Sequence, residues 1–356
     1  MSSTRKQTST LVPFFFLALP VNLQEVNLLV GKNAVGKSKT VGALGNVLLY
    51  LMQLSERISV SDIFRCKLLF EDKDGFISYE FQLSKSNVVY ESLTANGETR
   101  LYRNESETHL CGEPINPPSN KLTLHVRRDV LQYPFIEKIM LWAEHACGLC
   151  FNEIEIGGDN DMPFYILGQR QTLFEMVKSL PEESIQQVVS QAHGLGYPIL
   201  QIELLEHGSN LKMVLFHEEN VKSPIFGSLM SKGMYRALYL LIYAQYMSVR
   251  EYPSLLLIDD LCEGLDYERS TKLGKYLFDF CAKHDIQLIA TSNDTFLMDV
   301  VDLKYWNILQ REGSDVTSID IIKNPELFND FAFTGLSNFD FFSSDYIARK
   351  MKGHNE

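Results

Sequence analysis

A strand–turn–helix pattern near the amino terminus constrains this chain more than any other feature. The residues GKNAVGKS, 31–38, separate the apolar run Val26–Val30 from a segment with apolar residues at helical spacing. This is the complete G-x-x-x-x-G-K-[ST] pattern in the context that a phosphate-binding loop requires. Gly31 and Gly36 allow a turn whose backbone N–H groups point at a polyphosphate, and the helix N-terminus adds positive potential.

Side chains of this loop add to the predicted site. Lys37 can bridge the outer phosphates, and the Ser38 hydroxyl is placed to ligate Mg²⁺. Lys39, the next residue, is a further predicted nucleotide contact. A glycine- and lysine-rich turn without a ligand is the alternative, and the four matched positions with their flanks argue against it.

A second element of the same site lies far downstream. The apolar run 255–258 is followed by Asp259 and Asp260. A strand that ends in Asp beside a phosphate loop holds Mg²⁺ in such folds, so Asp259 is the predicted metal partner, directly or through water. Asp260 could orient a water toward the γ-phosphate as a general base. A helix cap or a solvated acid is the alternative role for Asp260.

Composition sets wider bounds. The chain has 356 residues, 45% of them hydrophobic, which suits one large α/β domain with an insertion, or two domains. A net charge of −12 gives no global attraction to nucleic acid. Six scattered cysteines do not form a disulfide framework and indicate a reducing, cytoplasmic location.

Two local patterns have more than one interpretation. Cys147 and Cys150 form C-x-x-C, but no second pair stands at zinc spacing, and Pro134–Cys150 has an apolar helical pattern. We therefore favour a core role over redox or zinc chemistry.

The apolar run Leu11–Leu19 superficially resembles a signal peptide, but prolines interrupt it and no cleavage site follows. We predict a buried strand beside the phosphate-loop strand, and no membrane span, because the run is too short.

Periodicity divides the rest of the chain. Alternation with a period of two over residues 64–102 predicts an antiparallel sheet, with an asparagine–glycine hairpin turn at 96–97. The predicted organisation is an ATP-binding core lobe at 1–55 and 220–322, an antiparallel β-subdomain at 56–125, a mainly helical insertion at 126–219 that returns to the core, and an aromatic-rich C-terminal tail at 323–356.

Four stretches together resemble an ABC-type ATPase head of the branch that includes RecF, SMC heads and OLD-type or defence-associated ATPases. The loop is similar to G-x-N-G-x-G-K-S of that group, with Asn33 matching and Ala34 in place of a glycine. Residues 231–236 look like the signature that begins a helix, 255–260 like the metal-binding strand, and 264–266 like the D-loop. The resemblance implies an α/β P-loop NTPase with a mixed central sheet, an antiparallel β-subdomain and a helical insertion.

The same resemblance implies that two heads close face to face around Mg-ATP. Ser231 and Gly233 of one copy would contact the γ-phosphate of the nucleotide held by the other copy. Asp266 and Ser292 would also contribute to the composite site. A hydroxyl and a backbone N–H at a helix N-terminus make an anion site in any case. An ordinary N-cap is the alternative role for Ser231, and the two roles are compatible.

Two departures from the family pattern predict slow hydrolysis. The strand ends in Asp-Asp where many relatives have Asp-Glu, so Asp260 has a shorter reach to water. After the run 286–290, where the family has a switch histidine, this chain has Thr291-Ser292-Asn293-Asp294. Ser292 or Asn293 could form a hydrogen bond but cannot carry charge.

The predicted function is an ATPase whose ATP-dependent dimerisation or larger assembly gates a separate effector, such as a nuclease, in bacterial anti-phage defence. The last step is an analogy with relatives of this outline. Two alternatives stay open: a scaffold that binds ATP without hydrolysing it, and a RecF-like ATPase that binds DNA. The second would need a basic patch, with the candidates Arg127, Arg128, Arg349, Lys350 and Lys352.

The phenylalanine-rich tail is predicted to pack on the protein's own core, with an exposed partner site as the alternative.

Overall fold

The computed structural model describes residues 5–12, 15–16, 21–53, 63–72, 74–150, 172–207, 211–250, 252, 254–313, 315–344 and 346–353. Its strands, in chain order, are β1 (Arg5–Val12), β2 (Phe15–Phe16), β3 (Val21–Leu23), β4 (Val26–Val30), β5 (Ile63–Asp72), β6 (Gly75–Ser84), β7 (Asn87–Ala95), β8 (Glu98–Arg103), β9 (Thr108–Leu110), β10 (Glu113–Pro114), β11 (Ala146–Cys150), β12 (Ile199–His207), β13 (Leu211–Glu218), β14 (Ser254–Asp259), β15 (Ile286–Thr291), β16 (Trp306–Glu312) and β17 (Asp315–Asp320). Its helices are α1 (Lys37–Leu51), α2 (Thr123–Val126), α3 (Pro134–Glu144), α4 (Leu173–Ser179), α5 (Glu182–Gly194), α6 (Lys232–Ser248), α7 (Tyr267–Lys283), α8 (Thr295–Val300), α9 (Pro325–Ala332), α10 (Asn338–Ser343) and α11 (Tyr346–Gly353).

Strand β4 lies inside a sheet with the order β11-β14-β15-β4-β16-β17. Neighbouring strands are parallel except for β16 and β17, which are antiparallel. Every residue of β4 is buried, which explains why its sequence is apolar instead of alternating. Its polar residue, Asn27, donates hydrogen bonds to the backbone oxygens of Gln24 and Leu288, so burial of the amide is compensated.

The two faces of this sheet belong to different cores. On one face, Leu29, Leu255 and Leu257 pack with α1, α3 and a larger antiparallel sheet. That sheet has the order β10-β9-β8-β7-β6-β5-β1-β2, with β3 also paired to β1. On the other face, Val26 and Leu28 pack with α5, α6 and α7. The result is an α/β fold with a mixed central sheet and an antiparallel sheet, as predicted.

Buried polar groups tie the far end of α1 to the antiparallel sheet. His125 Nε2 lies 3.0 Å from the carbonyl oxygen of Leu51, the last residue of α1. Glu91 accepts hydrogen bonds from the Tyr79 hydroxyl at 2.8 Å and from the backbone N–H and hydroxyl of Thr123. Burial raises the pKa of the Glu91 carboxyl, and these donors oppose that shift. The helix that follows the phosphate loop is therefore anchored at its other end.

The apolar spacing of Pro134–Cys150 predicts one helix, and this prediction is wrong for the residues around Cys147. Helix α3 ends at Glu144, and Ala146–Cys150 form β11, which is parallel to β14. A short apolar run has the same pattern in a buried strand and in a buried helix, so periodicity cannot separate them. Cys147 is buried, and burial raises the pKa of its thiol to about 12. The predicted core role is therefore confirmed for Cys147.

The described residues of the run Leu11–Leu19, which are 11–12 and 15–16, do not pair with β4. Its described part belongs to β1 and β2, and β1 pairs with β5 and β3 in the antiparallel sheet. Residues 13–14 and 17–20 lie outside the described residues. The neighbours of β4 are β15 and β16. The prediction of a strand next to β4 is wrong because an apolar strand carries no signal for the sheet that it joins. Among the described helices, none has both the length and the apolar character that a bilayer span requires.

The C-terminal tail packs on the protein's own core, as the sequence predicted. Helices α9 and α10 bury three aromatic side chains against one another, and α10 also packs on α8. The Phe341 ring centroid lies 4.9 Å from that of Phe328 and 4.6 Å from that of Phe331. Phe333, which directly follows α9, differs from these residues because it is 90% exposed.

Candidate functional site

The phosphate loop connects the carboxyl end of β4 to the first turn of α1. Gly36 precedes the helix with φ +113°, a conformation that favours glycine. A Cβ atom on Gly31 would lie 2.6 Å from Val35 Cγ1 and 3.0 Å from the carbonyl oxygen of Leu309. Both glycines of the motif therefore have a steric reason in this structure.

Ala34 occupies a backbone conformation that a glycine would adopt more easily. Its φ is +64°, in the left-handed region, where a Cβ costs roughly 1–2 kcal/mol. Arg311, at the end of β16, donates from Nη1 to the Ala34 carbonyl oxygen at 3.2 Å. The site where the resemblance expected glycine thus keeps the glycine conformation, and a neighbouring strand supports it.

The loop places its side chains in different environments. Lys37 is only 7% exposed, and its Nζ donates to the carbonyl oxygen of Gly31 at 2.7 Å. Burial lowers the pKa of the Lys37 ammonium, whereas the charges of Asp260 and Asp259 raise it. Residues Asn33, Ser38 and Lys39 are exposed at the surface of the loop. The structure therefore brings the predicted lysine toward both predicted carboxylates.

The two carboxylates lie where β14 ends, next to the end of β15. Asp259 is 9% exposed and accepts a hydrogen bond from the Thr291 hydroxyl at 2.6 Å. Asp260 has a left-handed φ of +50°, and its backbone N–H donates to the same hydroxyl at 2.8 Å. Burial raises the pKa of the Asp260 carboxyl, Asp259 adds to this shift, and Lys37 opposes it.

The residue that contacts the second carboxylate is Asn293. Its Nδ2 donates to Asp260 Oδ1 at 3.2 Å, and the residue is exposed. Ser292, a predicted nucleotide contact, is buried, and its hydroxyl accepts the backbone N–H of Asp294 at 3.0 Å. Of the two hydrogen-bonding candidates that the sequence offered after β15, Asn293 lies beside the site in this structure.

The signature and the D-loop form one surface. Ser231 caps α6 by accepting the backbone N–H of Met234 at 3.2 Å, so its N-cap role is confirmed. A Cβ on Gly233 would lie 2.6 Å from the carbonyl oxygen of Gly264, which places the signature against the D-loop. Asp266 is exposed and caps α7 by accepting the Arg269 backbone N–H at 3.0 Å. Ser231 and Asp266 are exposed, whereas Gly233 is buried against Gly264.

The residues of the loop and of β14 suit a nucleotide with Mg²⁺. Lys37 supplies a group that can bear a positive charge, and the charges of Asp260 and Asp259 favour its charged form. The predicted metal partners, the Ser38 hydroxyl and the Asp259 carboxylate, are oxygen ligands of the kind that Mg²⁺ prefers. No cluster of three or more ligating side chains occurs in the described ranges. Mg²⁺ at phosphate sites is usually bound by one or two protein groups, with phosphates and water as its other ligands.

Sequence reasoning did not assign a role to Thr291 or Arg311. Both act on the backbone or on a carboxylate of the site, through contacts between residues that are far apart in the sequence. The position of Thr291 at the end of a strand that runs parallel to β14 was the one available signal, because parallel strands bring their carboxyl ends together.

Comparison with known proteins places this geometry in context. A family model described as "AAA domain, putative AbiEii toxin, Type IV TA system" matches residues 26–299. No curated protein matches the chain. The fold is similar to that of an SMC head bound to the C-winged helix domain of ScpA, with 12% identity, a TM-score of 0.57, and coverage of 90% of this chain and 98% of that one.

Two further solved structures have the same relationship to this chain. The SMC head domain from Thermotoga maritima has 13% identity and a TM-score of 0.50, covering 90% of this chain and 99% of its own. The Smc head domain with an extended coiled coil, bound to the C-terminal domain of ScpA from Pyrococcus furiosus, has 10% identity and a TM-score of 0.52, covering 93% and 99%. The fold is therefore that of an SMC-type ATPase head.

The conformation of Ala34 leads to a stability test. Ala34→Gly should raise the free energy of unfolding by up to about 1 kcal/mol, because a left-handed position disfavours a Cβ. The matched control Ala43→Gly, inside α1, should lower the free energy of unfolding by about 1 kcal/mol or more. Urea denaturation of both variants measures these changes. Equal losses in the two variants would contradict the assignment of strain to Ala34.

Proposed function

Because this chain belongs to the AAA-domain family whose model matches residues 26–299, we propose that it binds Mg-ATP and hydrolyses it slowly. The observation that carries this proposal is the meeting of three strand ends. The loop after β4 holds Lys37, the end of β14 holds Asp259 and Asp260, and the segment after β15 holds Asn293. Ligands of open α/β sheets bind at the carboxyl ends of the strands, which is where these groups lie.

Each side chain has a proposed task in this reaction. Backbone N–H groups of the loop, with Lys37, would hold the phosphates, while Ser38 and Asp259 would hold Mg²⁺. The ion would neutralise charge on the transferring phosphoryl group. Asp260 orients the attacking water and accepts its proton, a role that its raised pKa favours. Asn293 fixes the Asp260 carboxylate through the hydrogen bond to Oδ1.

Slow turnover follows from two of these groups. An aspartate base reaches one methylene less far than a glutamate base. Asn293 can donate a hydrogen bond near the γ-phosphate but cannot supply a positive charge as an imidazolium would. We propose that the protein acts as a switch, in which the bound state persists long enough to control a partner.

The first test separates hydrolysis from binding. Lys37→Ala should weaken ATP binding strongly, because the phosphates lose a buried positive charge. Asp260→Asn should keep ATP affinity within about threefold and remove turnover, since removal of a general base typically costs 10²–10⁴-fold. Nucleotide titration and phosphate release measure the two effects. A wild-type rate equal to that of Lys37→Ala, with ATP still bound, would leave the non-hydrolysing scaffold as the function.

The proposed assembly is an ATP-dependent dimer formed through the signature and D-loop surface. Ser231 and Gly233 would meet the γ-phosphate held by the second copy, and Asp266 would lie near the same interface. An exposed aromatic pair extends this surface: the rings of Tyr267 and Phe296 are T-shaped, with centroids 4.5 Å apart. Tyr267 is 61% exposed and follows Asp266 directly, so a second copy would bury it.

Dimerisation can be tested without removing nucleotide binding. The double substitution Tyr267→Ser with Phe296→Ser should weaken ATP-induced dimerisation by at least about tenfold, since buried aromatic residues dominate interface energetics. Phe76→Ser is the matched control, because Phe76 is also 61% exposed but lies on the antiparallel sheet. Both sets of substitutions are introduced into the Asp260→Asn protein, which is expected to bind ATP without hydrolysing it. Sedimentation velocity with and without ATP then measures the dimer. Unchanged dimerisation in the double variant would refute this interface.

We propose a separate effector as the partner that the ATP cycle controls. Two of the similar SMC heads were solved bound to a domain of ScpA, a protein other than the head itself. The family description names a toxin–antitoxin system, which also consists of more than one component. In this chain the tail supplies a candidate surface, because Phe333 and Leu336 are exposed beside Gly335. Anti-phage defence by a nuclease effector in the cytoplasm remains the proposed setting.

The partner surface has its own test. Phe333→Ser should remove the co-purifying effector while ATP turnover stays within about twofold of wild type, because a single exposed side chain contributes little to the fold. Leu131→Ser is the control. Leu131 is as exposed as Phe333, but it precedes α3 and is not part of the C-terminal tail. Quantitative mass spectrometry of affinity-purified protein from the native host compares the variants. Retention of the same partner by Phe333→Ser would contradict the proposed docking residue.

We place the DNA-binding alternative second. Arg128 forms ion pairs with Glu137 and Glu144, and Lys350 forms one with Asp330. Two of the five basic candidates are thus neutralised by their own neighbours. Duplex binding that requires ATP and weakens steeply with salt would reverse this preference.

A further inference from the structure

We propose that Thr291 is a positioning residue that sets the geometry of both carboxylates, an inference that rests on the proposed ATPase function. Thr291 is the last residue of β15, and it is fully buried. It has no place among the residues that the sequence motifs identify. Its contacts place it between the predicted metal ligand and the predicted general base.

One hydroxyl group serves both acids. Thr291 Oγ1 donates its proton to Asp259 Oδ1 at 2.6 Å and accepts the backbone N–H of Asp260 at 2.8 Å. A hydroxyl has one donor and two acceptor lone pairs, so it can make both bonds at once. The bond to Asp259 fixes the rotation of that carboxylate, and the bond to Asp260 fixes the backbone on which the second carboxylate is mounted.

The backbone after β14 needs this support. Asp260 has φ +50°, a conformation that costs a non-glycine residue of order 1–3 kcal/mol and persists only where its surroundings hold it. Thr291 holds the turn from two directions. Besides the bond from its hydroxyl, its carbonyl oxygen accepts the backbone N–H of Leu261 at 2.9 Å. The turn that aims Asp260 is therefore attached to β15 on both sides of Asp260.

The same turn is linked to the segment that follows β15. Asn293, two residues after Thr291, donates to Asp260 Oδ1 at 3.2 Å. Thr291 thus controls the Asp260 backbone while Asn293 controls its side chain. A change in the hydroxyl would alter the direction of the carboxylate without touching the phosphate loop.

Valine and serine separate the hydroxyl from the volume of this side chain. Thr291→Val keeps the branched shape and removes both hydrogen bonds. Thr291→Ser keeps the hydroxyl and removes a methyl group, so it would be the more damaging change if Thr291 served only to fill space. The order of the two variants therefore distinguishes positioning from packing.

The decisive readout uses protein without nucleotide. In Thr291→Val, exchange of the Asp260 amide hydrogen should become faster, because its acceptor is gone, whereas Thr291→Ser should keep the wild-type rate. Hydrogen–deuterium exchange with fragmentation to single residues measures this, and the Leu257 amide inside β14 is the internal control. Equal protection of the Asp260 amide in wild type and Thr291→Val would overturn the proposal.

Two further measurements use the loaded protein. With ADP bound, Mn²⁺ affinity measured by electron paramagnetic resonance should fall about 10–100-fold in Thr291→Val, as expected when the partner that orients a metal ligand is lost. ATP turnover should fall by a similar factor, with ATP affinity in the absence of metal unchanged, and Thr291→Ser should restore both. Equal Mn²⁺ affinity in wild type and Thr291→Val would overturn the role toward Asp259.

The outcomes distinguish this inference from the proposed function. If wild-type protein bound no nucleotide, the ATPase proposal would fail, and the amide exchange would still decide whether Thr291 holds the Asp260 turn. If wild type bound and hydrolysed ATP but Thr291→Val did so equally well, the ATPase would stand and the positioning role would be refuted.

Discussion

The arrangement depends on bringing one buried ammonium group and two carboxylates to the same edge of a parallel sheet. Lys37 is nearly removed from water, and burial disfavours its charge, while Asp259 and Asp260 favour it. The pKa of the Asp260 carboxyl is raised by its own burial and by the charge of Asp259, and the charge of Lys37 opposes this shift. Like charges at the end of β14 are therefore tolerated because a positive group faces them. A triphosphate with its metal ion would take over this balance when it binds.

Parts of this site could be predicted from sequence, since motifs report local chemistry. The glycines at 31 and 36, and the acids at the end of β14, follow from a strand–loop–helix pattern and an apolar run. Partners across space could not be predicted. Nothing local indicates that β1 joins the antiparallel sheet or that the strand at Cys147 lies beside β14. The choice of Asn293 over Ser292 depends on which way the chain turns after β15.

Long-range contacts also explain how a divergent motif keeps its shape. Ala34 stands where the resemblance expects glycine, and it adopts a left-handed conformation, with a hydrogen bond from Arg311 of β16. Asp260 likewise keeps a left-handed turn through bonds to β15. In both places a strained residue is held by a neighbouring strand. In a site assembled in this way, a shift in β15 or β16 would alter the loop or the acids that these strands hold.

We propose that a nucleotide held by one copy is completed by the signature of another, and mixing two inactive variants tests this directly. Lys37→Ala lacks a working phosphate loop, and Ser231→Arg lacks a working signature. Each variant alone should show background phosphate release, whereas their mixture should recover turnover, because a mixed dimer contains one intact loop facing one intact signature. A mixture no more active than the sum of its components, measured at a concentration where wild type dimerises, would contradict the shared site.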